Sequence, residues 1–416
     1  MSIPKIIESS LQKNGWLLLV GLVLLYGCDT GESFSLFDDQ DIEGMPQPVI
    51  HEVDPPEGYL AGIDKITILG ENFDPVPENN LVYFNERRGT VLSGSEEVLE
   101  VRTADVVSDS VSIRVTPVEG EKFSEKYQYR LDHAVQRGEG IASSYEPRAI
   151  EVGNDGYLYM AHVDDGSNVG IAKIDRETGD LEVIVEQTSW TYQTIRQGPD
   201  NGLYMVRPGA IPIIYKVEEG GDNDNLWAMG VPRTDDIDFD ENGYLWGAGQ
   251  NEGEGNDAAL IRLDEDGNDE LFPFDADVTA LRVFEGSLYA AGSQAGELKV
   301  WRFNLGGNSE PGSPEVYFDF TGETGADDWT LHSMIFSEDG DLFIGTNGDK
   351  GVIEVAPGGT DWQHFYPDVL DPAGLSFSWK PGSEFMYMAQ GQSAQSDGDL
   401  LKLNMLRGGA PQYGRD

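Results

Sequence analysis

A single cysteine, Cys28, stands in 416 residues, which excludes an internal disulfide framework and any zinc site built from cysteine thiolates. Basic residues are scarce as well: 27 Lys and Arg face 75 Asp and Glu, for a net charge of −48. Nucleic acid is a poor partner for such a chain, because phosphate binding needs a basic face. Histidine occurs five times (His51, His133, His162, His332 and His364). No H-E-x-x-H zinc motif and no G-x-S-x-G nucleophile elbow is present. The apolar run at residues 16–25 (WLLLVGLVLL) is ten residues long, too short to span a bilayer.

Glycine is abundant, at 51 residues, and points to many tight turns, as in all-β folds. A hydrophobic share of 39% with 10% aromatic residues is enough to build cores despite the charge. The length accommodates two or three domains, or one repeat array beside a smaller module. The acidity admits three readings: calcium sites, a surface for basic partners, or adaptation to high salt. Acids are spread along the chain rather than clustered, and Arg outnumbers Lys. That distribution favours a solvated, halophilic surface whose self-repulsion is screened by salt.

Residues 1–27 carry Lys5 and Lys13 ahead of the apolar run, the layout of a secretory signal. The run ends in Leu25-Tyr26-Gly27-Cys28, which resembles a lipobox, the bacterial lipoprotein signal cleaved before a lipid-modified cysteine. The resemblance implies a chain anchored to a membrane by acyl chains on Cys28 and working outside the cytoplasm. Residues 28–47 lack sustained periodicity and read as a flexible acidic tether. Acidic residues soon after the cysteine resemble surface-export signals of Bacteroidota-type lipoproteins, which implies the outer membrane. In enterobacterial lipoproteins an Asp at that place implies inner-membrane retention instead.

Residues 48–131 show short strands between turn residues: 49–53 (VIHEV), 65–69 (KITIL), 80–85 (NLVYFN) and 111–115 (VSIRV). This pattern suits a small β-sandwich. The P-x-I-x-x-V-x-P opening from Pro48 to Pro55, the I-x-G-x-N-F stretch ending at Phe73 and the V-x-F-N strand resemble the IPT/TIG family of immunoglobulin-like domains. The resemblance implies a spacer or interaction module. Gly70 and Asn72 read as turn residues.

From residue 132 to the end one phrase returns six times: an apolar strand, a turn with Gly, then Leu and an aromatic. Its copies begin at Gly156, Gly202, Gly243, Gly286, Gly340 and Gly382. A period of about 45 residues with four short strands signifies propeller blades. The last unit is one outer strand short, and residues 132–141 are expected to supply it and close the ring. The expected fold is therefore all-β, an N-terminal immunoglobulin-like sandwich followed by a six-bladed β-propeller over 132–416. This half resembles the NHL-repeat and SMP-30/gluconolactonase-like propellers.

In propellers, loops before the innermost strand and between the second and third strands gather at one end of the central channel. Those loops hold Glu146, Trp190, Tyr192, Arg233, Asp235 and Trp329 in the first set, and His162, Arg207, Gln250, Asn347 and Gln390 in the second. Flat aromatics beside amides and carboxylates suit a sugar. The competing reading is that Trp190 and Trp329 fill blade interfaces and the amides hold loops. Residues 247–253 (GAGQNEG) miss the dinucleotide fingerprint, and residues 264–270 (DEDGNDE) place Gly too early for a calcium loop. The expected function is a non-enzymatic surface protein binding an extracellular glycan or protein partner, with no cofactor. The SMP-30 resemblance implies an alternative, a metal-dependent hydrolase with a divalent ion held by Glu, Asn and Asp. Glu146, Asp235 and Asn347 are candidates by residue type, though no motif assigns those roles.

Overall fold

The computed structural model describes residues 46–415 except 138–144, 165–166, 187–191, 208–211, 230–233, 250–257, 349, 368, 371–373 and 391–397. The expected signal, Cys28 and nearly all of the tether lie outside the described residues.

The first module is a sandwich of two sheets. One orders Val49–Asp54, Lys65–Glu71, Val98–Arg102 and Thr90–Gly94; the other orders Tyr59–Leu60, Tyr127–Asp132, Ser108–Pro117, Asn80–Phe84 and Arg87–Arg88. Period-two alternation aims Ile66 and Ile68 from one sheet, and Val111, Ile113 and Val115 from the other, into a shared core with Val82, Phe84, Leu99 and Val101. The Tyr129 hydroxyl donates to Pro55 O at 2.9 Å. Its pKa is pushed up to about 12, first by burial and then by the neighbouring Tyr59, Asp64 and Asp54. Asn72 is a turn residue with φ of 62°. Gly70 instead ends up within a strand, where a Cβ would stand 2.0 Å from Val49 O and 2.4 Å from the Phe73 ring. Close packing, not turn geometry, demands that glycine.

The sandwich is docked on the second module. Leu60 is buried in one apolar cluster with Phe365, Tyr366 and Leu370, and Ile63 packs against the same cluster. Gln47–Asp416 accordingly forms one compact unit.

The second module consists of six four-stranded antiparallel sheets. Their innermost strands are Tyr145–Val152, Thr194–Gln197, Asp236–Phe239, Asp277–Phe284, Leu331–Phe336 and Gly374–Trp379, which define blades one to six. Each innermost strand neighbours the next, and that of blade six returns to that of blade one. The ring is thus closed. The outer strand of blade six is Val135–Arg137, paired with Asp399–Asn404, so the start of the module completes its last sheet.

The recurring phrase now has a physical meaning. Its aromatics, Tyr159, Tyr204, Trp246, Tyr289, Phe343 and Tyr387, are all buried on the second strand of their blades. Tyr204 meets Phe239 of the next blade at 5.0 Å, Tyr289 meets Phe336 at 4.7 Å, and Phe343 meets Trp379 at 5.7 Å. Such offset contacts add about 0.5–1.5 kcal/mol each beyond burial. The polar heads are satisfied by the hairpin turn: Asp155 accepts from the Tyr159 hydroxyl at 2.7 Å, Asp200 from Tyr204 at 3.1 Å and Asp240 from the Trp246 indole at 2.7 Å. Burial alone would raise the Asp155 carboxyl, but hydrogen bonds from Lys173 and Tyr159 outweigh it and hold the pKa below its ordinary value. Gly156 and Gly243 take φ of 88° and 86° in these turns, while in blade two Asn201 takes the left-handed position at 60°. The DEDGNDE segment is a hairpin turn too, with Asp264 accepting from the backbone of Asp266 and Asn268 at 3.0 and 2.8 Å.

An innermost strand pairs on one side only, so its other edge needs partners. They come from side chains of the preceding blade. Ser376 and Ser378 accept from the Ile150 and Val152 amides, and Glu151 accepts from Gln197. Asp236 and Asp238 accept from Leu281 and Val283 at 2.9 Å each, and Ser333 accepts from Phe377 at 3.2 Å. Where a carbonyl faces across, a hydroxyl donates instead: Thr194 to Asp235 O at 3.0 Å and Thr279 to Leu331 O at 2.6 Å.

Candidate functional site

The two ends of the propeller differ. At the hairpin-turn end the C-terminal segment crosses the blades: Glu338 N donates to Gly408 O at 2.9 Å, Ala410 N to Phe336 O at 3.1 Å, and the Asn154 amide to Gly414 O at 2.9 Å. It ends by inserting Arg415 into the axis. There Arg415 meets Glu151 at 2.7 Å and Asp238 at 2.8 Å. Deeper in, Arg196 meets Asp236 at 3.1 Å and Arg282 meets the other Asp236 oxygen at 2.7 Å. All six groups are buried, and their charges balance, three against three. Burial, helped by the nearby Arg196 and Arg415 guanidiniums, holds the Arg282 pKa below its ordinary value. This end of the channel is filled by the chain itself.

Sequence reasoning did not single out this cluster. The available signal was a charged residue alternating with apolar ones in several innermost strands, as in IEV, IRQ, IDF and LRV. Each of Glu151, Arg196, Asp238 and Arg282 stands directly opposite the aromatic of its blade's phrase.

Those residues expected to bind a ligand that the structure describes belong to the opposite end, where strands are joined by the loops that precede the innermost strand or follow the second. Trp190, Arg233 and Gln250 lie outside the described residues. Glu146 opens the innermost strand of blade one and pairs with Arg148 at 2.8 Å. Its Cγ and the Gln390 backbone oxygen both crowd the place where a Cβ on Gly398 would stand, at the blade six–blade one seam. Arg207 is half-buried at the end of the second strand of blade two. Asp235 is buried beside the innermost strand of blade three, its amide donating to Ala248 O at 2.7 Å. In blade five, Asn347 accepts from Thr330 N at 2.7 Å, and the half-buried Trp329 ring covers Gly348 and packs at 5.9 Å from Phe320. Trp329 and Asn347 thus come together, with Asn347 also holding the loop. Tyr192 departs from expectation: it is fully buried in the blade one–blade two core and its hydroxyl bonds Asp224. Core packing claims it. A cavity of about 630 Å³ opens at this end beside Asp275, Asp277 and Glu297.

His162 is buried here, its ring 4.6 Å from that of Tyr145 and its Nδ1 3.4 Å from Met160 O. Among the described residues its Nε2 has no hydrogen-bond partner. Burial lowers its pKa, and burial lowers that of His332 in blade five as well. Among the described residues no group of three His, Cys, Asp or Glu is disposed to hold a metal ion.

Residues 48–130 match the IPT/TIG domain. The IPT/TIG match coincides with the sandwich. No curated protein matches the chain in sequence. Among solved structures, the chain is similar to an auxiliary nutrient binding protein from Bacteroides thetaiotaomicron VPI-5482, at 12% identity and a TM-score of 0.50, over 86% of this chain and 97% of that one. It is also similar to a calcium-binding protein, regucalcin, from Agrobacterium tumefaciens C58, at 13% identity and a TM-score of 0.50, over 67% of this chain and 97% of that one. At such identities the likeness concerns the fold.

Two outcomes follow from the buried ionisable groups. Arg415→Ala takes the cation at 2.7–2.8 Å away from buried Glu151 and Asp238, leaving Glu151 only Arg196 at 4.0 Å, and should destabilise the fold by about 3–5 kcal/mol, measured by denaturant unfolding. Stability should also fall as pH drops below about 6.5, because the unfolded chain then takes up protons that neutral, buried His162 and His332 refuse until lower pH. His162→Gln should flatten that slope in unfolding curves taken between about pH 7 and pH 5; an unchanged slope would rule out the histidine.

Proposed function

We propose that this chain is a lipid-anchored, extracytoplasmic binding protein whose propeller presents its loop-bearing end to an extracellular glycan or surface protein, without catalysing a reaction. The observation that carries this reading is the asymmetry of the ring. One end is filled by Arg415 and its paired acids, while loops rich in aromatic, amide and charged residues issue from the other. The six axial charges hold neighbouring blades together and are matched among themselves, which suits a scaffold better than a reaction centre. The Bacteroides structure that the chain resembles across both modules is described as nutrient-binding, in keeping with a binding role. Glu146, Arg207, Asp235, Trp329, Asn347 and Gln390, with Trp190, Arg233 and Gln250 on the same loops, are the residues proposed to line the face. The anchor is proposed at Cys28, in the outer membrane and facing outward.

The glycan version is tested by titrating the purified chain against a panel of extracellular polysaccharides. Saturable binding that weakens about tenfold in Trp329→Ala or Arg207→Ala is expected. No binding by an intact fold counts against it, and stoichiometric divalent metal whose removal lowers stability would favour the hydrolase instead. For the anchor, a Cys28→Ser chain should leave the membrane fraction and lose incorporation of a labelled fatty acid. Retention of both would exclude lipidation at that residue.

A further inference from the structure

Of the five histidines only His162 is fully buried. It stands on the second strand of blade one, Leu158–Asp164, opposite Pro147 of the innermost strand and near the loop-bearing end. Period-two alternation puts it on the same face as Leu158 and Met160, which pack with Tyr387, Ala389 and Leu400 of blade six. Ala161, on the other face, packs with Tyr192 and Ile195 toward blade two. His162 therefore lies in the seam where the last blade meets the first.

The two halves of that seam are held differently. Toward the hairpin turns, Ser378 accepts from Val152 N at 2.8 Å and donates to Glu151 at 3.2 Å, and Arg415 pairs with Glu151 at 2.7 Å. Toward the loops, the segments meet around Gly398, where a Cβ would stand 2.9 Å from Glu146 Cγ and 3.7 Å from Pro147 Cδ. His162 is packed into this half with little polar support. Its Nδ1 has Met160 O at 3.4 Å, a long contact, and among the described residues its Nε2 has no partner. The ionisable groups around it are Asp164 on its own strand, Tyr145, Glu146 and Arg148 on the innermost strand, and Tyr387 and Asp399 on blade six. Glu146 is engaged with Arg148 at 2.8 Å, and Asp399 with Arg137. The third strand, which faces His162 at Gly170, brings no charge between Ser167 and Gly170. Asp164 favours the charged ring, but burial outweighs it.

We infer that His162 is an acid-sensitive latch, whose protonation opens the loop-bearing half of the blade six–blade one seam and leaves the other half closed. An imidazolium carries two N–H donors and a charge, and a buried donor or charge without a partner is costly. In the closed seam the two donors find one long contact between them. Opening gives both of them water, so protons favour the open form once pH falls below the ordinary histidine value of about 6.5. Ser378, Glu151 and Arg415 bond without that proton and keep the opposite half in place. The opening is local, precedes unfolding of the ring and does not depend on what the loops bind.

The test is hydrogen exchange of the full chain, read amide by amide at about pH 7 and about pH 5 and corrected for intrinsic exchange rates. Amides within 145–149 and 161–164 should lose about tenfold in protection at the lower pH. Those of Val152 and Trp379, and those within 278–284 at the blade three–blade four seam, should keep theirs. In His162→Gln the loss with pH should disappear, because the amide does not titrate. Should that variant not fold, His162→Phe, which fills the space without titrating, should give the same result. His332→Gln, in blade five, should leave the loss unaltered. Protection that holds at the lower pH, that falls equally around the ring, or that still falls in the His162 variant would each overturn the inference.

Discussion

A strand at the axis of a closed ring of sheets has a neighbour on one side and open space on the other. Its free amides and carbonyls cannot reach bulk water once the channel fills, and each one left unbonded costs about 1–3 kcal/mol. Here every seam between successive blades is bridged by side chains from the innermost strands. Serines serve blade one from blade six, Glu151 serves blade two, and Asp236 and Asp238 serve blade four. Because each side chain reaches to the next blade, the same bonds that satisfy the edge also hold the blades in register. The ring and its polar axis are one constraint seen twice.

Polar bridges of that kind bring charges inside, and the charges must then be matched. Glu151, Asp236 and Asp238 are therefore joined by Arg196 and Arg282 from other blades and by Arg415 from the chain terminus. The last of these travels furthest through sequence to reach its partners, 264 residues from Glu151. Filling the axis in this way closes that end of the channel with the chain's own side chains. Docking of the sandwich through Leu60 onto Phe365, Tyr366 and Leu370 covers one side of the ring. The immunoglobulin-like domain is held by apolar contact rather than strung out as a free spacer.

Acidity organises the remainder. In a chain of net charge −48, a cation is readily paired, and pairs such as Lys216 with Asp200 at 2.7 Å and Arg302 with Glu315 at 2.7 Å are the rule. Exposed pairs of this sort contribute little to stability, about 0–1 kcal/mol. Their effect is to use up positive charge.

The sequence by itself determined the class of fold, because period-two alternation, glycine turns and a phrase repeated every 45 residues or so are local consequences of strand geometry. It determined the number of blades and the closing role of the segment after the sandwich, since an incomplete last unit leaves an edge that must be paired. Candidate residues could be assigned to one end of the ring for the same reason: chain connectivity alone fixes which loops lie together. Tertiary structure alone decided what each side chain touches. Tyr192 looks like a ligand contact in its loop but is buried between blades, while Glu151 and Arg282, charged residues within strands, are buried at the axis. Arg415 and Glu151 are far apart along the chain, and periodicity carries no information about pairs that only closure of the ring brings together.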